Sequence, residues 1–522
     1  RRPPMPRTAR FFAWSLLAGA CLPAGLRLMM PRQASEGFID GRVVAGGIPV
    51  AGATVRFQTS PVSTLSDDQG AFTLRLPAPR EGLRVVASKV GHFIGAADAV
   101  DRPLVIELRR HPTDDDPDYA WVDPRRDAND AGRCANCHQE IFDEWSASAH
   151  ARSATNRRFL NVYDGSDWQG SRHVGWSLLD DLPHGAGVCA SCHVPSPPPS
   201  IETTGDLRQV AGIHRQGVHC DFCHKIADVS VDEVGLNHGR FAMTFLRPND
   251  EHQIFFGPLD DVARGEDIHL TLYRESRYCA SCHEGTLFGT HVYGTYSEWL
   301  ASPHAKQGME CQDCHMAPTG RMTNFAPGKG GLPRDSSSLA SHHFPGGDRN
   351  FLRDHLSLSL VARDVEAGLE VDAIVRVHGV GHRTPTGSPT RALILHVEAT
   401  NSDGQSLPLV AGGVLPALAG NGPIEAGDLA GRPGRFYAKV LAADDGELGV
   451  PFWRSVAVAY DTRLEPEETS RNRFVFRRPS GEAHVWANLV YRRFNKETAD
   501  EKGWTDNEIV IDTRTCDWRP SR

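Results

Sequence analysis

Residues 134–138 read Cys134-Ala-Asn-Cys137-His138, and the pattern Cys-x-x-Cys-His returns four more times in the chain. The other copies are Cys189-Ala-Ser-Cys192-His193, Cys220-Asp-Phe-Cys223-His224, Cys279-Ala-Ser-Cys282-His283 and Cys311-Gln-Asp-Cys314-His315. Composition alone predicts about 0.01 copies in a chain of this length, so five copies cannot be accidental. The motifs use all the cysteines except Cys21 and Cys516.

Each residue of the motif has a role in the covalent attachment of c-type haem. The two thiols add to two vinyl groups on one edge of the macrocycle, and the adjoining histidine binds the iron from one face. We therefore predict five covalently bound c-type haems, with these proximal iron ligands: His138, His193, His224, His283 and His315. Zinc sites and disulfides are the alternatives for paired cysteines, but neither requires a histidine after every second cysteine.

Charge and composition argue against nucleic acid as a partner. The chain has 522 residues and a formal net charge of −9, and haem propionates would make its surface still more acidic. Residues 1–36 carry four arginines before an apolar run from Phe11 to Ala24, which predicts an export signal. An N-terminal membrane anchor is the alternative. Export to the periplasm or cell surface agrees with the motifs, because c-type haem is attached outside the cytoplasmic membrane.

The rest of the chain divides into three regions, which predicts a multidomain fold. Residues 37–110 and 351–522 alternate apolar and polar residues, which predicts a small antiparallel β-sandwich and a larger C-terminal β-sandwich. Residues 111–350 contain all five motifs and should form a mainly α and irregular pentahaem domain with a haem-dominated core. Residues 111–118 read as a solvated acidic linker, residues 139–152 as a helix, and residues 478–481 as a hairpin turn.

Five haems leave five sixth coordination positions for the other histidines and the methionines. Two histidines share a context, in Trp145-Ser-Ala-Ser148-Ala-His150 and Trp299-Leu-Ala-Ser302-Pro-His304. On a helix such a Trp would pack on one porphyrin while the His reaches a neighbouring iron. The distal candidates are His150, His238, His291, His304, His342 and His382. His92, in the first β-region, is interpreted as a surface residue rather than a ligand.

Two segments resemble known families. The run from Cys134 through His150, followed by the second, third and fourth motifs with His238, resembles the tetrahaem cytochrome c of ammonia oxidisers. That family belongs to the hydroxylamine oxidoreductase superfamily, and the resemblance implies that His150 and His238 are distal ligands. The fifth motif and both β-regions depart from it. The segment from Gly41 to Leu74 resembles the carboxypeptidase regulatory-like domain, which implies a spacer or docking role.

Electron transfer is the function that these observations favour. Iron with two histidine ligands has no open position for substrate, so a chain of mostly bis-His haems suits transfer between redox partners, either other cytochromes or a membrane electron-transfer complex. The alternative is an oxidoreductase acting on a small nitrogen or sulfur compound at one five-coordinate haem. The second motif, at His193, is the candidate for that haem, and Arg277, Tyr278 and Lys225 are equally substrate-polarising candidates or ordinary surface groups.

Overall fold

The computed structural model describes residues 37–76, 82–101, 103–183, 185, 187–197, 205–249 and 253–519. The predicted export signal and Cys21 lie outside these residues. Within the described ranges, none of the helices has the length and apolar character that crossing a membrane requires.

Residues 37–110 form two small sheets around a shared apolar core, at the positions where alternation predicts strands. The strands are β1 (Phe38–Ala45), β2 (Ile48–Pro49), β3 (Thr54–Phe57), β4 (Ser63–Leu65), β5 (Ala71–Arg75), β6 (Arg84–Ser88), β7 (Gly95–Asp98) and β8 (Leu104–Glu107). In one sheet β1 pairs with β2, β5 and β8, and the other runs β4-β3-β6-β7. The β1–β8 pair is parallel. The prediction of an antiparallel sandwich was wrong there, because β8 returns to the first sheet only after the chain has passed through the second.

The motif region is built from short elements joined by loops. Its helices are α1 (Gln139–Ala147), α2 (Arg157–Asp164), α3 (Leu178–Asp181), α4 (Ala190–His193), α5 (Cys220–Cys223), α6 (Arg277–His283), α7 (Thr295–Leu300), α8 (Pro303–Lys306), α9 (Cys311–His315) and α10 (Arg349–His355). Three two-stranded sheets pair β9 (Ile226–Val229) with β10 (Met243–Phe245), β11 (Phe255–Gly257) with β12 (Asp267–His269), and β13 (Glu284–Leu287) with β14 (Thr290–Gly294). Its buried apolar side chains form several small clusters.

Three local predictions are corrected here. The helix predicted over residues 139–152 ends at Ala147, because Ser148 adopts an extended conformation with φ −77° and ψ 167°. The acidic linker is tied to the motif region, since Asp115 forms an ion pair with Arg247 at 2.5 Å. His92 is buried rather than at the surface, because its backbone bridges to Arg110 where the first sandwich meets the motif region.

Residues 351–522 contain the larger β-sandwich. Its elements are β15 (Leu356–Val365), β16 (Gly368–Val377), β17 (Ala392–Asn401), β18 (Leu409–Ala411), β19 (Gly434–Ala442), β20 (Ala457–Asp461), β21 (Thr469–Phe476), β22 (Ala483–Arg492), α11 (Lys496–Glu501) and β23 (Glu508–Trp518). One sheet runs β15-β16-β21-β18 and the other β20-β19-β17-β22-β23. The hairpin predicted at 478–481 was wrong, because β21 and β22 lie in different sheets. Both strands bury one face in the same core, so their alternation looks alike.

Candidate functional site

The five motifs lie on short helical turns. The first begins in a 3₁₀ turn, Cys134–Asn136, and the others coincide with the ends of α4, α5, α6 and α9. A helical turn brings positions i, i+3 and i+4 to one side. The two cysteines and the histidine of each motif have this spacing, so the local fold presents two thiols and one imidazole together.

In four of the motif histidines, Nδ1–H donates a hydrogen bond to a backbone carbonyl. The Nδ1–H groups of His138, His193, His224 and His315 donate to the carbonyls of Phe325 (2.9 Å), Ser153 (3.1 Å), Phe256 (2.6 Å) and Pro345 (2.7 Å), respectively. Because a carbonyl only accepts, this contact places the proton on Nδ1. Nε2 is then unprotonated, with a lone pair that can bind a metal. That arrangement is typical of histidines that bind a metal.

Partial burial lowers the pKa of His138, His193, His224 and His315, which favours the neutral form that metal ligation requires. Burial also lowers the pKa of the distal candidates His150, His342 and His382 to about 4 each.

Two distal candidates face motif histidines. The ring centroids of His150 and His283 are 6.3 Å apart, and those of His315 and His382 are 6.2 Å apart. With a metal–nitrogen bond of about 2 Å and about 1.2 Å from that nitrogen to the ring centre, two imidazoles on opposite sides of one metal have centroids about 6.4 Å apart. Both pairs therefore match the spacing of two axial ligands. His382 comes from the loop after β16, so the C-terminal sandwich contributes one member of a pair.

His342 lies near the first and third motifs. Its side chain is partly buried, and the charges of His224 and His138 lower its pKa. Its loop is fixed by α1, because the buried Glu144 carboxylate accepts from the His342 backbone N–H at 2.7 Å and from the Ser341 hydroxyl at 3.1 Å. The helix that follows the first motif thus positions this candidate.

In His238 and in His304, one of the two ring nitrogens has a polar partner. The Nδ1–H of His238 donates to the Leu236 carbonyl at 3.1 Å, and its buried Nε2 has no hydrogen-bond partner among the described residues. A Cβ on the next residue, Gly239, would come within 2.3 Å of the Ser191 carbonyl oxygen, so this loop lies directly on the second motif. His304 is the second residue of α8, after the Ser302 N-cap and Pro303, and its Nε2 lies 3.7 Å from a Glu467 carboxylate oxygen.

His291 has a different environment from the other candidates. Its side chain is 47% exposed, and its Nε2 lies 2.7 Å from the carboxylate of Glu284. Because that nitrogen is already paired, the geometry does not favour His291 as an iron ligand.

The sequence predicts that Trp and His of each segment lie on one helix, but the structure places them on either side of a helix end. The Trp145 and Trp299 indoles lie near the ends of α1 and α7 and donate to the carbonyls of Val218 and Met309, at 2.8 and 2.9 Å. His150 and His304 each follow a serine that interrupts the helix. The two segments therefore share a helix end, a serine and a histidine, rather than one continuous helix.

The motif thiols meet in pairs that define which motifs are neighbours. Thiols of different motifs lie close enough to affect one another: Cys134 acts on Cys220, Cys192 on Cys282, and Cys279 on Cys311. Each contact lowers the pKa of one thiol, which is Cys134, Cys192 or Cys311, and raises that of its partner. The first motif thus adjoins the third, and the fourth adjoins both the second and the fifth. No disulfide joins the cysteines in the part of the chain that the structure describes.

Sequence reasoning missed the buried ion pair inside the third motif. Lys225 and Asp221 are fully buried, with Nζ 2.6 Å from Oδ1. The other carboxylate oxygen accepts from the Tyr119 hydroxyl at 3.0 Å and the Val122 N–H at 2.8 Å. Lys225 is therefore buried, and its interpretation as an ordinary surface group is wrong. The Tyr278 hydroxyl donates to the Cys223 carbonyl at 2.9 Å, and Arg277 pairs with Asp228 and Glu275.

The N-terminal sandwich contacts the third motif directly. Its Phe93 packs in a buried cluster with Phe256 of β11, and the Phe256 carbonyl is the one that accepts from His224. Arg56 adds an ion pair to Asp260 at 2.8 Å. A domain without motifs of its own thus supports the strand that orients a motif histidine.

Comparison with known proteins supports the fold. No protein-family model matches the chain, and no curated protein sequence matches it significantly. The solved penta-heme cytochrome c552 from Thermochromatium tepidum has a similar structure, with a TM-score of 0.53 and 20% sequence identity. The similarity covers 74% of this chain and 97% of the other. Since residues 111–350 are less than half of the chain, it extends into at least one β-sandwich. At this identity it shows a shared fold.

Proposed function

We propose that this protein is a multihaem c-type cytochrome that transfers electrons between redox partner proteins. The observation that carries the proposal is the pair of imidazole contacts, His150 with His283 at 6.3 Å and His315 with His382 at 6.2 Å. The five motifs supply the thiols for covalent attachment, and the similarity to a penta-heme cytochrome supports the same class.

The residues present fit five haems. The ten motif cysteines would hold them, with the motif histidines as proximal ligands. Bound haem supplies one-electron chemistry at a potential set by the axial ligands, burial and nearby charge. The chain's own residues orient the imidazoles through backbone carbonyls, and partial burial favours their neutral form. An iron with two histidine ligands excludes substrate, which favours transfer over catalysis.

The proposal also includes a cellular location, redox partners and related families. The chemistry of c-type attachment supports export to the periplasm or cell surface, with other cytochromes or a membrane electron-transfer complex as partners. The order of the first four motifs supports a relation to the tetrahaem cytochromes of the hydroxylamine oxidoreductase superfamily. The first sandwich, with its resemblance to carboxypeptidase regulatory-like domains, would be a docking domain that also supports the third motif.

Intact mass tests the cofactor count. Protein produced with a c-type haem maturation system is expected to carry the mass of five haems per chain, because five motifs each supply two thiols. The double variant Cys311→Ser/Cys314→Ser should lose one haem. Cys516→Ser, outside the motifs, should keep all five. A wild-type chain with two or fewer haems, or with bound zinc instead, would contradict the proposal.

One observation favours a second candidate function, an oxidoreductase acting at the second motif. The ring of His193 stacks on Phe159 at 3.9 Å with an interplanar angle of 7°. His138 and His224 likewise have Phe325 and Tyr273 as ring neighbours, whereas His283 and His315 each face an imidazole. A haem held by His193 without a second imidazole would keep an open position for a small nitrogen or sulfur compound.

Carbon monoxide distinguishes transfer from catalysis. If the haems are bis-His, the reduced protein is expected to bind carbon monoxide at a small fraction of its haems, measured by Soret absorbance during titration. Binding of one full equivalent per chain, with rapid reoxidation by hydroxylamine or nitrite, would instead support the oxidoreductase. Loss of that equivalent in Cys189→Ser/Cys192→Ser, which removes the second haem, but not in His291→Ala, would assign it to the second motif.

A further inference from the structure

Three arginines meet where the C-terminal sandwich contacts the motif region. Arg158 and Arg493 both donate to the backbone carbonyl of Asp506, at 3.1 and 3.2 Å. Arg158 also forms an ion pair with the Asp506 carboxylate, and Arg493 donates to the Gly347 carbonyl at 3.4 Å. Arg391 donates to the Thr386 carbonyl at 2.9 Å. Two guanidinium groups therefore share one acceptor, and the third lies within electrostatic reach of Arg493.

Asp506 supplies an exposed carboxylate to this cluster of three arginines. Arg158, Arg391 and Arg493 are each only partly exposed, and Asp506 is the carboxylate that acts on Arg493. That carboxylate is 73% exposed, so solvent screens it. The Nε of Arg158 is buried and lacks a hydrogen-bond partner among the described residues. Burial and the two neighbouring arginines together lower the pKa of Arg493, which shows that the like charges oppose one another.

The cluster lies between the second and fourth motifs. Arg158 directly precedes Phe159, whose ring stacks on His193 of the second motif. The charge of Arg391 acts on His283 of the fourth motif. These two motifs are neighbours, since the Cys192 and Cys282 thiols lie close enough to shift each other's pKa. An anion bound by the arginines would therefore lie beside the two motif histidines.

We propose that Arg158, Arg391 and Arg493 form a binding site for a carboxylate or similar small oxyanion, occupied by a haem propionate of the second or fourth motif. Guanidinium groups present planar, paired N–H donors that match a carboxylate, and they keep their charge when partly buried. The proposal rests on the proposed function for the identity of the anion. A free oxyanion drawn from solution has the same chemistry and is the other source that the experiment distinguishes.

The site has a measurable consequence for redox potential. A fixed positive charge beside a haem favours the reduced form, because reduction lowers the net charge of the iron. Arg391→Gln and Arg493→Gln are therefore each expected to lower the midpoint potential of one haem, or of two adjacent haems, in a spectroelectrochemical titration of the holoprotein. Arg391→Lys keeps the charge and should restore most of the potential. Arg376→Gln removes an exposed arginine from the same sandwich and should change no potential.

Added sulfate separates the two sources of the anion. If a propionate fills the site, the wild-type potentials should not respond to sulfate. A saturable shift with sulfate in the wild type, absent from Arg493→Gln, would show a free oxyanion at the same arginines. If the wild type carries five haems and neither glutamine variant shifts a potential, the arginine site is wrong and the proposed function stands. A wild type without haem would overturn both. Arg391→Gln, which loses one hydrogen bond, serves as the test if Arg493→Gln does not fold.

Discussion

Alanine in place of His382 is expected to convert one of the five proposed haems from low spin to high spin. The His382 ring faces His315 at 6.2 Å, the spacing of two axial ligands, so its removal leaves water or nothing at that iron. His150→Ala should do the same for the partner of His283. Electron paramagnetic resonance of the oxidised protein should show one high-spin signal per chain in each variant. Each reduced variant should gain about one equivalent of carbon monoxide binding.

His291→Ala is the matched control for these variants. His291 was an equal candidate in the sequence, but its Nε2 is paired with Glu284 and its ring is half-exposed. All haems should therefore stay low spin in this variant. A high-spin signal in His291→Ala would show that the Glu284 contact gives way to iron when haem is bound. Unchanged spectra in His382→Ala or His150→Ala would remove that residue from the ligand set.

The parts of the site that follow from local sequence could be predicted. The spacing Cys-x-x-Cys-His is a local pattern, and each motif lies on a helical turn that presents its three functional groups together. The strands of both sandwiches likewise follow alternation over a few residues. Helix length was harder, because α1 stops at Ala147 where the serine in Ser148-Ala-His150 adopts an extended conformation. Nothing in the periodicity marks that end.

The pairing of the candidate ligands could not be predicted, because it depends on contacts between residues far apart in the chain. His283 faces His150 and His315 faces His382, and neither spacing is visible as a motif. In the sequence His342 resembles several other histidines. Glu144, which holds its loop, lies 198 residues away in the chain. The prediction of a hairpin between β21 and β22 was wrong for the same reason. Alternation identifies β21 and β22 as half-buried strands but does not indicate that they belong to opposite sheets.

Burial of charge was the other feature that sequence reasoning could not supply. Lys225 follows the third motif histidine and reads as a solvated lysine, yet it is fully buried against Asp221. The three arginines of the proposed anion site come from α2, the loop before β17 and the segment after β22. Only the packing of the C-terminal sandwich on the motif region brings them together.

Methionine in place of Lys225 is expected to destabilise the protein by about 3–5 kcal/mol, because removing one partner of a buried ion pair leaves an uncompensated charge. The Asp221 carboxylate would keep the Tyr119 hydroxyl and the Val122 N–H as donors. The loss should therefore fall toward about 3 kcal/mol, the lower end of that range. Denaturant unfolding of the holoprotein, followed by haem absorbance and by circular dichroism, measures the shift of the midpoint.

Two further variants show whether the charge itself is responsible. Lys225→Met/Asp221→Asn removes both charges and leaves an acceptor for the Val122 N–H, so it should recover part of the lost stability. Lys329→Met makes the same substitution at an exposed loop and should change stability by no more than about 0.5 kcal/mol. If Lys225→Met unfolds at the wild-type midpoint, the pair contributes nothing to stability. If the double variant is no more stable than Lys225→Met, the loss arises from packing rather than from the uncompensated carboxylate.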